Sequence, residues 1–324
     1  VNTRLLTALL TVGTAALVSA CGGGAPVAEP MPGRVVEPMP PAAVELTSSP
    51  NERGDQSCDA TASLRPGPLP APGAMPAGST MAEIVSRGVV RVGVNQDMLL
   101  FGFRNPTTGG LEGFDIDIAR AIAQALFGDP NRIDLQVITS AERVPALREK
   151  KVDLVVHTFS ATCERRREVE FSSTYFISDQ RILAVKGSGI RAVADLTGKR
   201  VCGVFRTTTL EAVFALPNRP TVIGMTNWLD CLVALQQGQV DAVSTDEPIL
   251  AGLAIQDPTL EIVGAAMAED AYAVGVQQEA TDLVRFVNGV LDRLRSDGSW
   301  DRIYTARMGV LGPSPGPPQP RYVD

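Results

Sequence analysis

The 324-residue sequence predicts an α/β fold of two similarly built lobes with a cleft between them. Three observations support it. Apolar runs alternate with amphipathic helical stretches over roughly 82–307, the pattern of helices layered on mainly parallel strands. One phrase also occurs twice: Ala146-Leu147, four residues, then Val152-Asp153-Leu154-Val155 is matched by Ala234-Leu235, four residues, then Val240-Asp241-Ala242-Val243. Each copy reads as a helix end, a tight turn and a buried strand. Each strand then runs into polar residues, His157, Thr158 and Ser160 in the first copy and Ser244, Thr245 and Asp246 in the second. Open α/β sheets bind ligands beyond the carboxyl ends of their strands, so two such ends facing each other would make a clamp.

Residues 1–20 read as an export signal. Arg4 supplies the positive start, and Leu5 to Val18 form an apolar stretch too short for a comfortable membrane span. It ends Val18-Ser19-Ala20-Cys21, which resembles the lipobox of bacterial lipoproteins and implies lipid on Cys21. An ordinary cleaved signal with a chance cysteine is the competing reading. Residues 21–80 are rich in Pro and Gly, as in Glu37-Pro38-Met39-Pro40-Pro41, and are expected to be a semi-rigid tether with little core of its own. Residues 308–324 form a second Pro-rich tail.

The net charge of −7 leaves no basic face to neutralise phosphates, which argues against nucleic acid. Aromatics make up only 5%, so platforms for stacking bases or sugar rings are scarce. With Cys21 assigned to lipid, Cys58, Cys163, Cys202 and Cys231 remain. In an exported chain they read as two disulfides with three possible connectivities. A zinc site is a poor rival, because there is no Cys-x-x-Cys and His157 is the only histidine. No metal and no cofactor are expected.

Along the folded part, Val89 to Val94 reads as the first strand. A helix follows Gly113 with Ile118, Ala119, Ile122 and Leu126 on one face. Thr281 caps a long helix striped by Leu283, Phe286, Val287, Val290, Leu291 and Leu294, and Gly298 ends it.

Gly113-Phe114-Asp115-Ile116-Asp117-Ile118-Ala119 resembles the "GFDVDLA" element of the extracellular solute-binding proteins for polar amino acids. Val152-Asp153-Leu154-Val155, Thr162-Cys163-Glu164-Arg165 and Glu170-Phe171-Ser172 resemble that family's "VDLV…T-x-E-R…DFS" block, and Val240 to Asp246 its later "VDAV…D" strand. These elements span nearly all of the folded part in the family's order. Within the family, the cysteines and the ending Arg321-Tyr322-Val323-Asp324 are most similar to the mycobacterial glutamine-binding lipoproteins. The resemblance implies the type II periplasmic-binding fold, with lobe 1 at 81–178 and 272–307 and lobe 2 at 179–271. It also implies two hinge crossings, near Tyr175–Arg181 and Met267–Ala273. On these lobes Cys202 and Cys231 fall together and are expected to pair, leaving Cys58 with Cys163 to fasten the tether's end beside Arg165.

The resemblance also implies the site. Burying an amino acid requires a partner for its carboxylate and another for its ammonium. Arg165 matches the family's carboxylate-gripping arginine; alone, Arg165-Arg166-Arg167 would read as a solvated basic turn. Asp246 matches the ammonium-binding aspartate, and it precedes Glu247-Pro248 as a helix cap would. Thr158 and Ser160 match positions offering backbone and hydroxyl contacts, and Thr207 and Thr208 match a loop whose amides meet the carboxylate. Phe205-Arg206-Thr207-Thr208 lacks the glycines usual there. Asn95, Met98 and His157 are expected at the side-chain end of the pocket, with a structural histidine as the other reading of His157. They favour glutamine, glutamate, aspartate or asparagine.

The function implied is that of a monomeric lipoprotein, held to the outer face of the cell membrane, that delivers an amino acid to an ABC permease. A sensor with the same clamp and a signalling partner in the membrane is a second class. A dehydratase-like enzyme on the same scaffold is a third, but it needs an acid or base at a reacting carbon, and no nucleophile elbow or paired-carboxylate motif is present.

Overall fold

The computed structural model describes residues 39–49 and 57–324, so the expected export signal and the expected lipid site, Cys21, lie outside the described residues. One five-stranded sheet is ordered Ile133–Val137, Val90–Val94, Leu154–Val155, Gly275–Gln277, Val169–Phe171. Its first three strands are parallel, and Gly275–Gln277 runs antiparallel to both its neighbours. Val90, Val92 and Val94 are fully buried on a strand that packs against helices Thr80–Arg87 and Phe114–Phe127, and the predicted apolar stripes of Phe114–Phe127 and Thr281–Ser296 are also buried. Gly113 begins the first of these helices at φ 135°. A Cβ there would lie 2.1 Å from the Phe101 carbonyl oxygen, so only glycine allows the turn.

The second sheet is ordered Val44–Leu46, Thr221–Met225, Arg200–Val204, Ala242–Asp246, Phe176–Val185, Leu260–Val263. Strand Phe176–Val185 links the two lobes. Its first half pairs with Glu269–Tyr272, in register Phe176↔Tyr272 to Asp179↔Glu269, and its second half pairs with Ala242–Asp246. These two antiparallel segments form the two-stranded crossing. Phe101, Phe114, Phe176, Tyr272 and Trp300 pack around its lobe 1 end with ring centroids 5.2–6.4 Å apart.

The repeated phrase is a repeated structure. In the first copy the N–H groups of Lys151 and Val152 return to the Ala146 carbonyl, and Asp153 N–H bonds the Arg91 carbonyl. In the second, Gln239 and Val240 return to Ala234, and Asp241 bonds Arg200. The aspartate of each copy then accepts from the backbone N–H of the neighbouring strand, Arg91 at 2.8 Å and Arg200 at 2.7 Å. Lys150 and Gly238 both turn the chain with positive φ. The invariant spacing reflects one helix-to-strand connection used in both lobes.

The described parts of the two Pro-rich ends, expected as a semi-rigid tether with little core of its own and a tail, make contacts with the folded part. Val44–Leu46 is an edge strand on Thr221–Met225. Ala62–Ser63 pairs with Arg321–Tyr322, and Leu64, Leu69 and Met75 pack on the core. Asn288, fully buried in the long C-terminal helix, donates to Ser63 Oγ at 2.8 Å and Leu64 O at 2.7 Å. Tyr322 donates to Asp292 at 2.7 Å. Arg166 also is not a solvated side chain, since its guanidinium donates to Ala60 O and Ala62 O. Proline supplies extended backbone here, and the core supplies the binding energy that composition does not reveal.

Cys58 is bonded to Cys163 and Cys202 to Cys231. They close loops separated by 105 and 29 residues, for which chain entropy gives roughly 3–5 kcal/mol each. Non-reducing peptide mapping should recover these two links, and reduction should lower the melting temperature. A Cys58 peptide linked to Cys202 or Cys231 would contradict the pairing.

Candidate functional site

A cavity of about 590 Å³ lies between the lobes, with Ser140, Phe159 and Arg165 among its lobe 1 residues and Arg206, Thr208 and Glu211 facing them. Arg165 lies at the start of a short turn of helix, Arg165–Arg167. Its guanidinium donates to Ser160 O at 2.6 Å and, across the cleft, to Arg206 O at 2.8 Å, while resting 5.1 Å from the Phe159 ring. Arg143 sits 4.7 Å from the same ring and gives its protons to the carbonyls of Ser140, His157, Thr158 and Arg206 at 3.0–3.2 Å. Among the described residues neither arginine has a salt-bridge partner. Burial lowers the pKa of both, Arg143 further than Arg165, and Arg165's own charge adds to the effect on Arg143. Burial raises the Glu211 carboxyl on the opposite wall to about 7, against the pull of Arg165.

The missing glycines of the lobe 2 loop are explained here. Arg206 itself takes φ 61°, a left-handed conformation that glycine would adopt without cost. Its carbonyl is thereby shared by Arg143 and Arg165. Thr207 caps helix Thr208–Phe214 through its hydroxyl, accepting from Leu210 N at 3.2 Å and donating to Val204 O. Thr208 is the link onward: its hydroxyl is 3.3 Å from Ser160 Oγ and donates to Asp270 at 2.9 Å.

Asp246 ends strand Ala242–Asp246, precedes Pro248 at the start of the next helix, and makes no side-chain cap. It is 5% exposed; its Oδ1 and the buried Tyr272 hydroxyl make no hydrogen bond of normal geometry, although the two groups are neighbours. Burial, and next the Asp270 carboxylate, push the Asp246 carboxyl well above its usual range. The site therefore holds two guanidinium groups bonded to carbonyls and two carboxylates that have no ion-pair partner among the described residues, with Ser160 and Thr208 linking Arg165 to Asp270.

Asn95, Met98 and His157 make a second cluster. Asn95 Oδ1 accepts from the N–H groups of Asp97 and Met98 at 2.6 and 2.9 Å, and Thr158 Oγ1 is 3.9 Å from the Met98 sulfur. His157, expected at the pocket's side-chain end, has 0% exposure; its Nε2 lies 3.1 Å from Ile138 O and 3.2 Å from Asn95 Nδ2. The ring is enclosed in the fold and touches Asn95, while its Nδ1 is buried without a hydrogen-bond partner. Burial, with Arg143 second, pushes its pKa down to about 3. Because the unfolded chain takes up this proton near pH 6.5 and the native state does not, His157 weakens the fold as pH falls from about 6.5 towards 3. Imidazole NMR signals of the native protein should stay those of a neutral ring down to pH 4, and titration near 6 would contradict this placement.

Arg143, Phe159, Asp270, Tyr272 and Asp115 adjoin the predicted site residues and were not among them. Asp115 is 1% exposed and accepts from Tyr175 OH at 2.7 Å and Thr158 N at 2.8 Å, holding Thr158 at φ 40°. Burial raises its carboxyl to about 6. Only Asp115 carried a signal, as one of two acids, with Asp117, among the apolar residues of a helix start. Among the described residues no group of three or more His, Cys, Asp or Glu is placed to hold a metal, and no helix is long and apolar enough to cross a membrane.

The family model of the bacterial extracellular solute-binding proteins, family 3, matches residues 90–309. The chain is 35% identical over 226 residues to the ABC transporter glutamine-binding protein GlnH of Bacillus subtilis (strain 168), covering 69% of this chain and 83% of that protein. A glutamine-binding protein of Geobacillus stearothermophilus is 37% identical over 202 residues, 62% of this chain and 77% of its own length. Among solved structures, the solute receptor for L-cysteine of Neisseria gonorrhoeae superposes with a TM-score of 0.68 at 28% identity, covering 72% of this chain and 95% of that one. An ancestral arginine-binding protein bound to glutamine gives 0.64 at 31% identity, with 69% and 99% covered.

Proposed function

Because the chain belongs to the bacterial extracellular solute-binding proteins of family 3, binding proteins rather than enzymes, we propose that it captures a polar amino acid and delivers it to the permease of an ABC importer. The ligand belongs to the glutamine, glutamate, aspartate and asparagine class. The observation that carries this reading is the separation of charge in the cleft. Arg165, with Arg143 beside it, has no carboxylate of the protein to pair with, and Asp246 has an unsatisfied buried oxygen. An amino acid supplies both missing partners from one carbon. Arg165 exchanges the Arg206 carbonyl for the carboxylate, which its planar fork grips with two parallel donors. Asp246 takes the ammonium, with Ser160, Thr158, Thr207 and Thr208 supplying hydroxyl and amide contacts between them. Asn95 and Met98, backed by His157, shape the end that receives the side chain.

In this reading residues 81–178 with 272–307 move against 179–271 about the two crossings, and the protein works as a monomer. Lipid on Cys21 holds it at the outer face of the membrane. A thermal-shift panel over the common amino acids followed by calorimetry tests the binding. Stabilisation by at least one of the four named amino acids, at micromolar affinity, is expected, and a flat panel would overturn the proposal. Cys21→Ser should release the protein from the membrane fraction.

A further inference from the structure

We propose that Asp270, on the strand that crosses between the lobes, is a second carboxylate for the ligand's ammonium group and acts together with Asp246. This rests on the amino-acid reading above. Asp270 lies in Glu269–Tyr272, opposite Ser178 of the other crossing strand. It is 7% exposed, and its Oδ2 holds the hydroxyl of Thr208, which in turn lies 3.3 Å from that of Ser160. Lobe 1, lobe 2 and the hinge thus meet through three polar side chains, with Asp246 adjoining the last of them.

Among the described residues neither Asp246 nor Asp270 has an ion-pair partner, and Asp246 Oδ1 is buried without a hydrogen bond of normal geometry, its neighbours being the Tyr272 hydroxyl and Asp270. Two neighbouring carboxylates removed from water do not both stay ionised without a cation. The raised carboxyl of Asp246, driven by burial and then by Asp270, is the same conflict seen from one side. An ammonium group resolves it. It carries one positive charge and three N–H donors, enough to reach Asp246 Oδ1 and Asp270 at once and leave one for a carbonyl or hydroxyl. Asp270 is also linked to Arg165 by contacts, since Thr208, which it holds, lies 3.3 Å from Ser160 Oγ and the Ser160 carbonyl accepts from Arg165 at 2.6 Å, so the acid stands two residues from the arginine that would grip the ligand's carboxylate. A metal ion fits less well, since no third acidic, histidine or cysteine ligand joins the pair among the described residues. Because Asp270 belongs to the crossing strand, the amine would contact the hinge as well as the far lobe.

The test compares wild type with Asp270→Asn by calorimetry, using L-glutamine or L-glutamate, whichever the wild type binds, and its amine-free counterpart (glutaramate or glutarate) as a competitor at millimolar concentration. Asparagine keeps an oxygen for the Thr208 hydroxyl and removes only the charge. The expected result is at least a tenfold loss for the amino acid and less than a twofold change for the amine-free compound. Unchanged affinity for the amino acid, or equal losses for both compounds, would overturn the assignment and leave Asp270 a support for Thr208. Should the asparagine variant not fold, Asp270→Ser is read by the same criteria. If wild type binds no amino acid at all, the proposed function fails instead, so the two failures are told apart.

Discussion

Replacing Arg165 with alanine is expected to abolish amino-acid binding in a protein that still folds. In the structure this side chain bonds two carbonyls and rests on Phe159, so its loss leaves little of the fold unsupported. With ligand in the cleft, the loss strands a desolvated carboxylate. Breaking such a buried pair costs about 3–5 kcal/mol, a roughly 100- to 5,000-fold weakening against the ~8 kcal/mol of a micromolar ligand. Arg165→Lys should not rescue, because an ammonium is a point charge without a fork. Arg166→Ala should do the reverse, lowering the melting temperature through its bonds to Ala60 and Ala62 while leaving affinity within about twofold. Calorimetry showing less than tenfold weakening in folded Arg165→Ala would remove this residue from the site.

Asp246→Asn should weaken binding at least tenfold and also blunt closure. A ligand shifts an equilibrium between open and closed forms only by its difference in affinity for the two. Arg165 and Asp246 belong to different lobes, so both grip the ligand only when the lobes are together, and hinge closure around ligands is a known motion of such clamps. An asparagine is isosteric at this strand-to-helix junction, where the aspartate makes no side-chain cap, so the fold should tolerate it. Small-angle scattering should show ligand-induced compaction in wild type and less of it in the variant at saturating ligand. Superimposable wild-type profiles with and without a confirmed ligand would remove closure from the mechanism.

What the sequence determined by itself was whatever repeats at short range. The twin phrase around Asp153 and Asp241 was legible because one turn, two returning N–H groups and one carboxylate-to-backbone bond require the same spacing in each lobe. Periodicity likewise marked the stripe of the long helix Thr281–Ser296. Arg165 and Asp246 were reached only through resemblance, since a run of arginines and an acid before a proline read as ordinary surface turn and cap. The tertiary structure alone decided the rest. Arg143, Asp270 and Tyr272 carry no local pattern, and they meet Thr158, Thr208 and Ser160 only because the fold brings distant strands and loops together. His157 looked like a ligand group by its chemistry and is enclosed by its neighbours. The Pro-rich ends read as a tether and a tail because composition records the absence of a core, whereas Val44–Leu46 and Ala62–Ser63 use other segments' strands as their partners. Local spacing is written along the chain, while burial and long-range pairing depend on which distant residues arrive beside it.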